Sequence, residues 1–306
     1  MGKDLYEAFP AAKDVFDRAE AATGLPLKKL CFEGPQDALA RTDICQPAIF
    51  TVSAAALAVM ENVLGTGEQV RPAWLAGLSL GEYTALYAAG AMNLETAGRL
   101  LARRGALMQQ AAGRTPSGMV SILGLDESQA AELARAAGGG QVLVCANFNC
   151  PGQIVLSGQI DACKRAEAMA KDFGASGAVA LKVAGAFHSP LMQPAADELA
   201  TVMKQVVFSA PRVPVVANTT ARPHGRAEEI GPALVSQVVS PVRWQQSMEH
   251  LMAAGVERFY EIGPGRVLAG LMRRINRKAE VTCINSREAI EKLAGAIAGQ
   301  PNRGST

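Results

Sequence analysis

The chain of 306 residues is short of the residue types that build metal and redox centres. It has three histidines and six cysteines, and the cysteines at 31, 45, 145, 150, 163 and 283 form no C-x-x-C pair. No histidine stands near a cysteine pair, so neither a zinc site nor a disulfide framework is indicated. Free thiols in a reducing cytosol are the simplest account, which makes the expected location cytoplasmic. No metal or cofactor is expected. Charge of one sign is also scarce: the net charge is +2, aromatics are 5%, and no basic tract is interleaved with aromatic residues. Nucleic acid is therefore not an expected partner. No uninterrupted apolar run reaches the ~18 residues that a membrane span needs. Met1-Gly2-Lys3-Asp4 opens no signal-peptide apolar core. There are no internal repeats or low-complexity segments. What remains is 49% hydrophobic and 19% charged, ordinary for a globular protein and enough for one large domain or one and a half.

Periodicity places helices over 4–22, 46–60 and about 95–112, the second so evenly apolar that it should be buried. Gly113-Arg114-Thr115-Pro116-Ser117-Gly118 reads as a linker. An ordered series follows: strand 119–125, helix 126–137 capped by Asp126, strand 141–148, strand 154–157, helix 161–173 and strand 178–184. That β-α-β-β-α-β order predicts a ferredoxin-like subdomain inserted into a larger α/β domain. Further elements are expected as helices near 190–207, 232–239, 244–254 and 267–275 and strands over 213–217 and 258–262. The fold class is thus α/β, with a hydrolase-like parallel sheet and flanking helices. Its large domain spans 1–113 and 188–299, its insert 114–187, and 300–306 is expected to be a disordered tail.

One segment carries chemistry. Gly77-Leu78-Ser79-Leu80-Gly81 follows the apolar run Ala73-Trp74-Leu75-Ala76 and leads into a helical stretch from Glu82. It has the G-x-S-x-G pattern of a nucleophile elbow, where a strand turns sharply into a helix and exposes a serine hydroxyl. Both glycines are expected to be required by the tightness of the turn. The helix start directs backbone N–H groups and a positive dipole end at any anion formed beside Ser79. The same five letters also occur by chance in glycine-rich turns of α/β proteins.

A serine nucleophile needs a base. His224 lies in a Pro/Gly/Arg loop and is expected to be solvated, and His250 sits in a helix beside Glu249. His188 follows Val183-Ala184-Gly185-Ala186-Phe187 and precedes Ser189-Pro190, a good cap and first-turn pair for the next helix. A strand-to-helix junction is where ligand sites of α/β folds gather. No carboxylate is evident as the third member, and a backbone carbonyl could orient the imidazole instead. Arg104 shares a helix face with Leu100, Leu101, Leu107, Met108 and Ala111. Its guanidinium either meets an anion such as a substrate carboxylate or snorkels from the edge of the stripe. Gly263-Pro264-Gly265 lacks a third glycine and reads as a tight turn, not a dinucleotide site. Arg273, Arg274, Arg277 and Lys278 form a solvated helix end or a surface for an acidic partner.

Five motifs in order give a resemblance: 77-GLSLGEY-83, Arg104-Gly105, 146-ANFNCPGQ-153, 185-GAFHS-189 and 261-EIGPG-265. Together they resemble the malonyl-CoA:acyl-carrier-protein transacylases, over nearly the whole chain to about residue 286. The resemblance implies that Ser79 takes the malonyl group from malonyl-CoA and passes it to the phosphopantetheine thiol of acyl carrier protein by ping-pong transfer, in fatty acid synthesis. It implies His188 as general base, the main-chain carbonyl of Gln237 as its orienter, the N–H of Leu80 as an oxyanion donor and Arg104 as the clamp on the malonyl carboxylate. Phe187 resembles the residue associated with malonyl over branched extender groups. A monomer is expected. Two features depart from the pattern. Leu78 stands where histidine is frequent, and the chain begins after the family's opening strand and Gly-Gln-Gly-Ser loop. A late-assigned start or a trimmed sequence is the expectation there. It would leave a gap in the parallel sheet and remove an oxyanion donor worth about 2.7–4 kcal/mol. The rivals at this point are a serine thioesterase or esterase and a catalytically weak carrier-protein-binding subunit.

Overall fold

Helices α1 (Lys3–Ala8) and α2 (Pro10–Thr23) form where one N-terminal helix is expected. The break falls at Phe9, whose extended backbone precedes Pro10, because proline disfavours helical geometry in the residue before it. The computed structural model describes residues 1–65 and 71–298, so the tail expected at 300–306 lies outside the described residues. Two short helices not foreseen, α3 (Leu27–Glu33) and α4 (Gln36–Ala40), lead into α5 (Thr42–Leu64). Helix α5 is long and apolar enough by length and composition to cross a membrane, which a search for unbroken apolar runs does not flag. It packs against α2 and α7 (Leu94–Ala112), with Ala48, Phe50, Val52, Ala54, Ala55, Ala56 and Val59 buried in the main core.

Between them lies α6 (Leu80–Ala88). Residues 117–180 then run β1 (Ser117–Leu123), α8 (Glu127–Gly138), β2 (Leu143–Cys150), β3 (Gln153–Gln159), α9 (Ile160–Met169) and β4 (Gly177–Ala180). The four strands make one sheet in the order β2-β3-β1-β4, with every neighbouring pair antiparallel. Helix α8 starts as expected at Asp126, whose carboxylate accepts the Gln129 N–H while the Gln129 side chain accepts the Asp126 N–H. Such reciprocal capping satisfies two otherwise orphaned donors. The sheet and its two helices enclose a core of their own, including Ile122, Leu133, Phe148, Leu156 and Ala166. Two backbone bonds, Phe148 N–H to Val242 (2.9 Å) and Val242 N–H to Ala146 (2.8 Å), bind its edge strand to the rest of the chain.

Strand β4 is shorter than the expected 178–184, since its antiparallel pairing with β1 ends at Ala180 opposite Val120; farther on, a Cβ at Gly185 would stand 2.5 Å from Ala112 Cβ. After it come α10 (Gln193–Met203), the antiparallel hairpin β5 (Val216–Ala217) and β6 (Arg222–Pro223), and α11 (Ala227–Val239). Helix α12 (Trp244–Ala253), β7 (Arg258–Ile262), α13 (Val267–Ile275), β8 (Glu280–Ile284) and α14 (Arg287–Ala298) complete the chain. The chain is an α/β protein. The broad parallel sheet expected for the large part is represented, among the described residues, by the parallel β7–β8 pair and a single parallel bridge between Leu75 and Val215. The 73–76 strand shrinks to one bridging residue because the chain must turn into α6 at Gly77. Glu261 at the end of β7 accepts the Leu268 and Ala269 N–H groups of α13 (2.9 and 2.8 Å), so Gly263-Pro264-Gly265 is a capped strand-to-helix turn.

Candidate active site

Ser79 sits immediately before α6 with φ 53° and ψ −105°, a left-handed backbone that a non-glycine residue adopts only at a cost. His188 is the second residue of this kind, with φ 57°. Both are held in place by their surroundings. Asn218 brackets the elbow: its Oδ1 accepts the Ser79 N–H at 2.6 Å and its Nδ2 donates to the Gly77 carbonyl at 2.7 Å. A Cβ on Gly77 would lie 2.0 Å from the Gly81 carbonyl group, so glycine is required at that position. Gly81 is different. A Cβ there meets nothing within 4 Å and its φ is ordinary, which corrects the expectation that both glycines serve the tight turn. Gly81 supplies close backbone to Gly77; its own missing side chain is not needed.

The two residues expected to act as nucleophile and base meet across 109 residues of sequence: Ser79 Oγ lies 2.8 Å from His188 Nε2. His188 Nδ1 lies 2.8 Å from the main-chain carbonyl of Gln237 on α11. A carbonyl only accepts, so Nδ1 carries the proton and Nε2 presents its lone pair to the serine hydroxyl. His188 is 4% exposed. Burial, and then the nearby Arg104 charge, push its pKa down to about 4 against the pull of its bond to Gln237. The imidazole is therefore neutral and able to accept a proton at any pH well above 4. Leu80 opens α6, so its amide is one of the helix's orphaned N-terminal donors, beside Ser79.

Arg104 is only 1% exposed, which settles the choice left by periodicity against snorkelling. Its neighbour Arg103 instead reaches the surface and pairs with Glu198 at 3.1 Å. From Arg104, Nη1 donates to Gln46 Oε1 (2.6 Å), and Nη2 donates to Gln237 Oε1 (2.9 Å) and Ser79 Oγ (3.0 Å). Its Nε has no hydrogen-bond partner among the described residues. Burial pulls its pKa down, opposed by Tyr83 and Glu82. Among the described residues no carboxylate lies within ion-pair distance of this buried guanidinium and its amide partners are neutral, so it keeps a charge to offer an anion beside Ser79.

The chain matches the acyl transferase domain family over residues 1–294. It belongs to that family. It is 40% identical to a malonyl CoA-acyl carrier protein transacylase of Bacillus subtilis, over 95% of this chain and 90% of that one. The acyl-carrier-protein-S-malonyltransferase of Bartonella henselae superposes with a TM-score of 0.92 at 40% identity, covering 97% of this chain and 95% of the other. A malonyl-transacylase solved in complex with its type II PKS acyl-carrier protein matches with a TM-score of 0.92 at 37% identity, covering 97% and 94%.

In this acyl transferase the sequence expectations and the geometry part company at one histidine. The His224 side chain is 2% exposed, not solvated, and its Nε2 donates to the equally buried Glu82 at 2.8 Å. The loop that carries it folds back when the His224 N–H bonds to the Val215 carbonyl at 2.8 Å. His250 packs edge-on against Trp74, with ring centroids 5.5 Å apart, and its Nδ1 lies 2.8 Å from Arg222. Phe187 is half-buried and touches both the main core and the small Met119-Ala146-Val155 cluster. Sequence reasoning missed Gln46, Glu82 and Asn218. Glu82 alone left a signal, since it shares helical spacing with buried Ala85 and Leu86, as Arg104 does with its leucines.

Proposed function

We propose that the chain transfers a malonyl group from malonyl-CoA to the phosphopantetheine thiol of acyl carrier protein, through an ester on Ser79. The observation that carries this reading is the single point where three groups converge: Ser79 Oγ stands 2.8 Å from His188 Nε2 and 3.0 Å from Arg104 Nη2. His188 Nε2 takes the hydroxyl proton as Oγ attacks the thioester carbonyl. The tetrahedral oxyanion lies against the Leu80 N–H. The C–S bond then breaks, and the proton on Nε2 passes to the departing coenzyme A thiolate. In the second half His188 accepts the carrier thiol's proton, the thiolate attacks the ester carbonyl, and the C–O bond breaks with that proton returning to Ser79. Throughout, Arg104 binds the malonyl carboxylate, and Gln237 holds both the base and the clamp. We assign Phe187 to the side of the acyl pocket.

The domain reading follows the same logic. The strand order β2-β3-β1-β4 and the separate core support taking 114–187 as a ferredoxin-like insert within a hydrolase-like large domain of 1–113 and 188–299. We take the protein to act as a monomer on an acyl carrier protein of fatty acid synthesis. Mixing the protein with malonyl-CoA and weighing it by intact mass spectrometry tests the function directly. A malonyl adduct should map to Ser79, vanish in Ser79→Ala and move to added holo-acyl carrier protein. An adduct lost to water at the same rate with or without the carrier would make the protein a hydrolase and overturn the reading.

A further inference from the structure

Behind the nucleophile lies a buried polar cluster that the acyl-transfer steps do not use. Glu82 is 1% exposed and sits in the first turn of α6. Its Oε1 accepts from His224 Nε2 (2.8 Å), and its Oε2 accepts the Asn218 backbone N–H (2.9 Å) and Gln237 Nε2 (2.8 Å). A carboxylate is costly to bury, and here both oxygens accept hydrogen bonds, three in all, from three distant loops and helices.

We infer that Glu82, held by His224, is a positioning residue that sets the direction of the Gln237 amide and thereby aims Arg104 at the substrate carboxylate. The inference rests on the reading of Arg104 as the carboxylate clamp. Gln237 Nε2 has two N–H donors, and they go to Glu82 Oε2 and to the Ser79 carbonyl (3.0 Å), with Asn218 Oδ1 a longer third acceptor at 3.4 Å. Its Oε1 is thereby left to face Arg104 Nη2 at 2.9 Å. The reverse orientation would turn an amide oxygen against a carboxylate and an NH₂ group against a guanidinium, with like partners opposed on both sides. Glu82 adds a second acceptor-only partner beside the Ser79 carbonyl, opposite the donor-only Arg104, and its charge makes that hydrogen bond the strongest hold on the amide. A neutral amide in its place keeps the geometry but loosens that hold. The same Glu82 oxygen holds the Asn218 backbone, whose side chain brackets Ser79, so the elbow and the clamp share one anchor.

Single-turnover loading of Ser79 from malonyl-CoA and from acetyl-CoA, followed by intact mass spectrometry, separates positioning from scaffolding. Glu82→Gln should lower the malonyl-to-acetyl ratio of loading rates about tenfold, since acetyl makes no use of the clamp and a hydrogen bond to a charged group is at stake. His224→Leu should lower the ratio in the same direction. His224→Gln, which keeps an N–H donor for Glu82, should restore it to within about threefold of the unmodified protein. A ratio unchanged to within about twofold in Glu82→Gln, including a parallel fall on both substrates, overturns the inference. Should Glu82→Gln fail to fold, equal ratios in His224→Leu and His224→Gln overturn it. Arg104→Ala is run alongside. If that variant also leaves the ratio unmoved, the clamp reading falls and the inference with it; if its ratio collapses while that of Glu82→Gln does not, only the positioning role fails.

Discussion

Removing the Arg104 guanidinium tests the site at its most specific point. Arg104→Ala deletes donors to Gln46, Gln237 and Ser79 and leaves a malonyl carboxylate without a cation in a buried site. Stripping one partner from a buried charge pair costs about 3–5 kcal/mol, which corresponds to roughly 10²- to 10⁴-fold in kcat/KM for malonyl loading. Acetyl loading has no carboxylate to lose, and should change only through the lost contact with Ser79 Oγ, by about tenfold or less. Arg104→Lys should fall between, because an ammonium keeps the charge without the planar fork. A second readout comes from the base. The Arg104 charge is the second cause, after burial, of the low His188 pKa. In the unmodified protein the acid limb of kcat/KM, which reports the free enzyme, should therefore lie near the His188 value of about 4. In Arg104→Ala it should move upward, remaining below the ordinary histidine value of about 6.5 because burial persists. Rapid-quench loading with both thioesters over a pH series gives both numbers. Equal losses on malonyl and acetyl, or an acid limb that stays put or moves down, would refute the reasoning.

Two other outcomes follow from the geometry. Gly77→Ala should abolish Ser79 loading or the fold, as its Cβ would stand 2.0 Å from Gly81 backbone, whereas Gly81→Ala should load normally and gain about 0.5–1 kcal/mol in denaturant unfolding; equal damage from the two would show that the turn is misjudged. With the native His188 pKa near 4, the unfolded chain binds more protons than the native one from about pH 6.5 down to 4. Stability should accordingly fall as pH drops through that window, by up to about 3 kcal/mol from this group. His188→Gln should flatten that part of the urea-unfolding curve against pH, and a parallel pair of curves would exclude the effect.

Local order was readable wherever a residue's consequence is local. Asp126 followed by Gln129 announces a helix start because capping acts within one turn, and the β-α-β-β-α-β succession of 117–180 shows in alternating apolar periods. The break at Phe9 also had a local cause in the following proline, whereas the close approach of Gly185 to Ala112 on a remote helix left no mark in the sequence. Strand 73–76 reads as a full strand in sequence, yet its pairing is limited by the turn at Gly77 to a single bridge.

At the site, the sequence by itself determined which residues could do chemistry: a serine between glycines at a strand-to-helix turn, a histidine at a second such junction, and an arginine on an apolar helix face. Each follows from side-chain type and spacing along a few residues. Only the tertiary structure decided that these three meet within 3.0 Å, that Gln237 serves through its carbonyl and its amide at once, and that His224 is buried on Glu82 and not solvated. The reason is range. Propensity and periodicity report neighbours within a turn or two, while Glu82 and Gln237 are 155 residues apart and are joined by a side-chain hydrogen bond that no local pattern encodes.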